Sequence, residues 1–218
     1  MTSARPVLIH VGMPRTATTS LQLNLFSRHP EACYIGKPLT RTRPEVARVT
    51  RGITYDVSLR SPSELTAFQK HCIVPLLAEH SGPVVISEEE FATSTPTSMI
   101  SPQEIAERIH TLFPTAAILV TIRRQDHMIP SLFGHMVRMG MLDLEDWTPF
   151  MRAVQETPQL AAVADYAAVV ARYEDLFGAH KVHVQAYEQL TEDPAAYEKE
   201  ICRLARICLL YTSDAADE

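Results

Sequence analysis

Four short runs constrain this chain more than any other feature. They are VLIHV (Val7–Val11), PVVIS (Pro83–Ser87), AAILVTI (Ala116–Ile122) and KVHVQAY (Lys181–Tyr187). Each is compact and rich in β-branched residues, and the third is continuously apolar, as a strand buried on both faces must be. The segments between them read as helices. Thr18 to Arg28 carries Leu21 and Leu25 on one face. Ser61-Pro-Ser-Glu64 and Ser101-Pro-Gln-Glu104 are capping boxes with Pro in the first helical position. The second opens a stripe of Ile105, Ile109, Leu112 and Phe113; the first opens a helix kinked or broken at Pro75. Arg123 to Gly140 reads as a loop into a helix, with Asp126 as its cap and Pro130 in its first turn. Ala161–Phe177 reads as one Ala-rich helix stopped by Gly178, and Asp193-Pro194 opens a last helix along Tyr197, Ile201 and Leu204. Residues 30–60, rich in Arg, Thr and Pro, read as irregular. Strand–helix alternation of this kind predicts an α/β fold, three-layer α/β/α around a central parallel sheet.

At 218 residues and 24.4 kDa, one domain is the natural reading. With 46% hydrophobic and 21% charged residues, the chain is neither disordered, nor a coiled coil, nor collagen-like. A net charge of −6 speaks against a nucleic-acid partner held by bulk charge. Cys33, Cys72, Cys202 and Cys208 form no CxxC pair, so reduced thiols are expected rather than a zinc site or a disulfide framework. No apolar run approaches the ~20 residues of a membrane span, and the start lacks a secretory h-region. A soluble, cytoplasmic protein is the expectation.

The last eleven residues, CLLYTSDAADE (208–218), resemble a translated sequencing-library adapter. They hold Asp214, Asp217 and Glu218 and no Lys or Arg, so half of the net charge comes from them. The expected organisation is therefore a single domain over 1–207, cut short within its last helix, and a non-native tail.

Ligands of open parallel sheets sit at the carboxyl ends of the strands. The first such end carries Gly12-Met-Pro-Arg15-Thr-Ala-Thr18-Thr19-Ser20. Against the phosphate-loop pattern GxxxxGK[ST], Ala17 replaces the second Gly and Thr18 the Lys, while the spacing and the final hydroxyl survive. Backbone N–H groups and a helix N-terminus still make an anion nest there, with Thr16, Thr18, Thr19 and Ser20 as hydroxyl donors and Arg15 as cation. PRTATTSLQ resembles the 5′-phosphosulfate loop of P-loop sulfotransferases, a family with the P-loop nucleoside triphosphate hydrolase-like fold. These enzymes move a sulfuryl group from 3′-phosphoadenylyl sulfate (PAPS) to a hydroxyl or amine. The resemblance implies that Pro14, Arg15, Thr16, Ala17, Thr18, Thr19 and Ser20 bind the donor. Arg15 stands where the family has Lys; it keeps the charge but is no proton donor, so its implied role is to stabilise the leaving phosphate.

After the third run comes Arg123-Arg-Gln-Asp-His-Met-Ile-Pro-Ser131. It resembles the family's 3′-phosphate element, an Arg at a strand end with a Ser eight residues on, which implies Arg123 and Ser131 as ligands, or Arg124 if the register shifts by one. A 3′-phosphate distinguishes PAPS from ATP, and an Arg-plus-hydroxyl clamp can select it. Bacterial sulfotransferase-like sequences resemble the segment 113–140 throughout.

Transfer to a hydroxyl needs a base for the acceptor proton. Glu88, Glu89 and Glu90 follow the second run, and strand alternation separates Glu89 from the other two. The family's S-x-E strings favour Glu89. His127 and His135 lack a third ligand, so no metal is expected, and AYEQLTEDP resembles the family's last strand and turn without a catalytic role. The acceptor, whether a small molecule, a lipid or a saccharide, is expected against residues 36–60 and 134–160. A P-loop kinase or NTPase, which the missing Lys disfavours, and a non-catalytic nucleotide-binding remnant are the rival readings.

Overall fold

The computed structural model describes residues 5–37, 43–93 and 99–209. The tail from 210 onward therefore lies outside the described residues, as does 38–42 within the expected acceptor-facing segment. Five strands, β1 (Val7–His10), β2 (Cys33–Gly36), β3 (Val84–Ser87), β4 (Ala117–Ile122) and β5 (Val182–Ala186), form one sheet in the order β2-β3-β1-β4-β5. Every neighbouring pair is parallel. The three-layer α/β/α reading thus holds. β1 is central, so the chain leaving it emerges between the ends of β3 and β4.

Side-chain alternation sorts the strands onto two cores. Ile9, Ile35, Val84, Ile86, Ile118 and Val120 face one cluster. It is completed by Val49 and Ile53 of helix α2 (Pro44–Tyr55), Leu65 and Phe68 of α3 (Pro62–Phe68), Leu76 of α4 (Val74–Ala78), Ile105 and Ile109 of α5 (Pro102–Leu112) and, from later in the chain, Val169 and Tyr173. Leu8, Val85 and Leu119 point the other way. There they meet Leu21 and Leu25 from the helical stretch after β1, and Tyr197 and Ile201 near the C-terminal end. That first stretch opens as α1 (Thr18–Ser20), widens to a π-turn over Leu21–Leu25 and tightens to 3₁₀ over Phe26–Arg28.

The capping boxes form as expected at one end: Ser61 accepts from the Glu64 amide while the Glu64 carboxylate accepts from the Ser61 amide. Ser101 accepts from the Glu104 amide and starts α5. At Pro75 the helix does not break. A π-turn over Gln69–Ile73 joins α3 to α4 and absorbs the missing Pro75 donor.

Other expectations are corrected. Among the described residues of 30–60, the chain is not irregular throughout: it holds β2 and α2. α2 hides its character because Thr50 and Thr54 are buried with their hydroxyls donating to the carbonyls of Val46 and Thr50, so polar letters occupy core positions. The helix after β4, α6 (Gln125–Arg138), begins at Arg124 rather than Asp126, which instead ion-pairs with Arg124 at 2.7 Å; Pro130 lies inside it, beyond the first turn. The expected single helix over Ala161–Phe177 is shorter: after α7 (Trp147–Glu156), Ala161 ends α8 (Pro158–Ala161), and α9 (Tyr166–Phe177) starts afresh where Asp165 accepts from the Ala168 amide. After β5 come α10 (Tyr187–Glu192) and α11 (Pro194–Ala205), the latter capped by Asp193 and closed by Arg206 in the left-handed region at φ 55°.

Candidate functional site

The loop leaving β1 is tied down by β4: the Val11 amide donates to the Leu119 carbonyl at 2.7 Å and the Met13 amide to the Thr121 carbonyl at 3.1 Å. Gly12 is required at this crossing, since a Cβ there would lie 2.5 Å from Thr18 Oγ1. Arg15 (φ 66°) and Ala17 (φ 63°) are both left-handed. Left-handed residues interleaved with right-handed ones turn successive amides to one side, which is the geometry of an anion nest. Ala17, standing where the pattern has Gly, adopts the conformation that Gly would take at no steric cost.

Below the loop lies a buried polar layer. Thr16 Oγ1 donates to the Met13 carbonyl (2.7 Å) and meets Thr121 Oγ1 (2.7 Å) and Thr18 Oγ1 (3.2 Å). His10, at the end of β1, contacts Ser87 Oγ through Nδ1 (2.8 Å) and Thr121 Oγ1 through Nε2 (3.3 Å). Burial holds its pKa down at about 3, so the ring is neutral.

Above the loop, Arg15, Ala17, Thr18, Thr19, Glu89, Arg123 and Tyr187 line one cleft of about 190 Å³. Arg15 Nε donates to Ser131 Oγ of α6 (3.1 Å), which itself is not among the lining residues, and an Arg123 Nη donates to the Arg15 carbonyl (3.1 Å). Arg123 is shelved on the Tyr187 ring, 4.5 Å from its centroid, and the Tyr166 hydroxyl holds its carbonyl (2.7 Å). Among the described residues Arg123 Nε is buried without a partner, an unmet donor beside the cleft. Arg124 is exposed and committed to Asp126, so Arg123 is the one that faces the loop.

The three carboxylates separate, though by a different route from strand alternation: β3 ends at Ser87, and Glu88 opens a 3₁₀ turn over Glu89–Phe91. Glu89 turns toward the loop. Burial raises its pKa, against the lowering effects of Lys37, Arg15, the Thr18 hydroxyl and His135. Glu88 turns inward, fully buried, and pairs with Lys37 Nζ at 2.6 Å; Glu90 is 3.5 Å from the same nitrogen. Burial raises the pKa of Glu88 as well, despite that pairing. Glu88 is not among the residues that line the cleft. Of the remaining candidates, Thr16 supports the loop from below, Pro14 sits in its turn, and exposed Ser20 accepts from Asn24.

Lys37, Tyr187 and His10 went unnoticed in the sequence. Tyr187 ends a predicted strand, the location that the carboxyl-end rule singles out. Lys37 follows β2, whose Cys33-Tyr-Ile-Gly36 does not stand out as an apolar run. For Lys37→Met we expect a loss of roughly 2 kcal/mol at neutral pH, below the ~3–5 kcal/mol of a fully buried pair because Lys37 is 33% exposed. The sign with pH follows from Glu88, whose folded pKa rises further without Lys37. The folded state then binds more protons than the unfolded one, so stability falls as pH rises through the window above the ordinary carboxylate value. Denaturant melts at acid and neutral pH check this: a loss of equal size at both would contradict it.

A family model described as the sulfotransferase family matches residues 6–208. The chain belongs to the sulfotransferase family. Solved structures agree on the fold. A sulfotransferase from Alicyclobacillus acidocaldarius is 21% identical, with 99% of this chain and 87% of that one covered and a TM-score of 0.63. The sulfotransferase domain of the curacin biosynthetic pathway is 16% identical over 94% of this chain and 75% of that one, TM-score 0.58. The mouse sulfotransferase SULT7A1, solved with PAP, is 13% identical over 94% of this chain and 60% of its own, TM-score 0.53. No curated protein matches. Among the described residues of this family member, no group of three or more His, Cys, Asp or Glu is placed to hold a metal, and no helix is long and apolar enough to cross a membrane.

Proposed function

We propose that this chain is a cytoplasmic sulfotransferase that uses PAPS and passes its sulfuryl group to a hydroxyl or amine on a small molecule, lipid or saccharide. The observation that carries the reading is the tie between a cationic loop and an Arg–Ser element: Arg15 bonds Ser131, and Arg123, which lines the same cleft as Arg15, bonds the Arg15 carbonyl. Arg123 and Ser131 would receive the 3′-phosphate, and the partnerless Arg123 Nε is a donor suited to it. Arg15, the loop amides, Thr18 and Thr19 would receive the 5′-phosphosulfate. Glu89 would take the acceptor proton as the new S–O bond forms and the S–O bond to phosphate breaks, leaving 3′-phosphoadenosine 5′-phosphate. PAP in the structurally similar mouse enzyme supports the same donor. The scheme assigns no step to a metal.

Calorimetric titration of the full chain tests it. 3′-Phosphoadenosine 5′-phosphate is expected to bind at least ~10-fold more tightly than Mg-ATP, about 1.4 kcal/mol. Tighter ATP binding, or indifference to removal of the 3′-phosphate, would overturn the reading.

A further inference from the structure

Proton positions in the buried layer beneath the loop can be followed from its carbonyl end. A carbonyl can only accept, so Thr16 spends its single proton on the Met13 carbonyl at 2.7 Å. The 2.7 Å contact between Thr16 and Thr121 must then be donated by Thr121. With its proton so committed, Thr121 can only accept from His10, which places a hydrogen on Nε2 across the 3.3 Å contact. On the other side, Gln22 Nε2 lies 3.4 Å from the Ser87 carbonyl and 3.1 Å from Ser87 Oγ, and an amide nitrogen donates to both. Ser87 Oγ is thereby an acceptor from Gln22, and its one proton has two claimants, His10 Nδ1 at 2.8 Å and the Tyr34 hydroxyl, whose own proton goes to the Lys37 carbonyl; the Nε2–H fixed from the Thr121 side, in a neutral ring, assigns it to His10. A neutral ring with hydrogen on Nε2 alone satisfies both ends, and the fully buried ring, edge-on to Phe26 at 5.6 Å, is neutral.

We infer that His10 is a positioning residue: as the Nε2–H tautomer it gives direction to a hydrogen-bond chain running from Gln22 through Ser87, His10, Thr121 and Thr16 to the Met13 carbonyl, and so fixes the shape of the anion-binding loop. The chain joins the carboxyl ends of β3, β1 and β4, the three strands whose ends surround the cleft. It also leaves Thr18 as the loop hydroxyl with a choice. Thr18 Oγ1 is 3.4 Å from the Met13 carbonyl and 3.2 Å from Thr16, and it reaches Glu89 on the cleft side. The other tautomer would set a ring N–H against the Ser87 hydroxyl and leave Thr121 without its donor, and the conflict would reach Met13 through Thr16.

The effect on donor binding rests on the donor proposed above; the tautomer does not. Two measurements keep them apart. In ¹⁵N-histidine-labelled protein near neutral pH, the signal absent from His10→Gln should report the neutral Nε2–H form. An Nδ1–H form or an imidazolium would overturn the inference. For the loop, Thr121→Val removes the hydroxyl link at nearly constant shape, whereas Thr121→Ser restores it. Binding of 3′-phosphoadenosine 5′-phosphate should weaken ~10-fold in the Val variant and return to within ~3-fold of wild type in the Ser variant, the scale of one lost buried hydrogen bond. A Val variant that folds and binds like wild type, or a Ser variant as poor as Val, would overturn the loop role. If Val does not fold, Ser87→Ala takes its place, with a smaller loss expected because the loop side of the chain stays intact; a loss larger than that of His10→Gln would contradict the direction assigned. Wild-type protein that binds none of this nucleotide would sink the donor reading, and the labelled-histidine result would still decide the tautomer.

Discussion

Replacing Glu89 by Gln is expected to lower kcat by roughly 10²–10⁴-fold, the usual contribution of a positioned general base. The substitution keeps the shape and the hydrogen-bonding capacity but cannot accept a proton. Glu89 is the one carboxylate of its run that lines the cleft with Arg15 and Arg123. Its pKa is raised by burial, which makes it a stronger base than a free carboxylate while Arg15 and Lys37 keep the shift in check. The base works ionised, so the rate should rise with pH through a midpoint above the ordinary 4.5. The same shift has a stability side. A buried carboxyl with a raised pKa binds more protons folded than unfolded, so its ionisation works against the fold as pH climbs through that window. Glu89→Gln should accordingly be no less stable than wild type at neutral pH, and slower. Steady-state kinetics with a melt of the same sample checks both; wild-type kcat in the Gln variant would remove Glu89 from the reaction.

Arg15→Ala is expected to lower kcat/KM by roughly 10²–10³-fold, comparable to losing one preorganised charge-stabilising donor. Arg15 presents its guanidinium over the nest and fixes it by Nε donation to Ser131, so its loss removes both a charge and the tie between the two halves of the cleft. Arg15→Lys separates these roles. Lys restores the charge without the guanidinium fork, so partial recovery is the expected result. Because Arg15 also lowers the pKa of Glu89, the pH–rate midpoint should move upward in Arg15→Ala. Unchanged turnover, or an unmoved midpoint, would remove Arg15 from the mechanism.

How far the sequence discloses this molecule depends on what each element buries. β1, β3 and β4 are readable because parallel strands covered on both faces show as short apolar runs, whereas the edge strand β5, with Val184 exposed, shows as alternation along VHVQA. β2 is four residues, one of them Gly36, and α2 fills core positions with threonines whose hydroxyls bond back to their own helix. β2 leaves no apolar run, and α2 leaves only Val46, Val49 and Ile53 at helical spacing among polar letters. Arg15, Glu89 and Arg123 stand at strand ends next to a recognisable loop, so position alone singled them out. His10 sits inside a run that reads as hydrophobic; its polar role depends on Ser87 and Thr121, 77 and 111 residues away. No local pattern encodes such a contact.

The two left-handed residues of the loop, Arg15 and Ala17, have a kinetic consequence. Each side-chain-bearing residue held in that region costs on the order of 1–2 kcal/mol. The protein meets that cost once, when it folds, and the concave row of amides then stands ready in the free state. An arriving anion has no loop to rearrange, so its capture should proceed in one bimolecular step, with an observed rate linear in ligand concentration and steep in ionic strength. Gly at position 17 would relieve that strain and raise the thermal stability of the empty protein, while a wider loop ensemble makes capture slower and two-step.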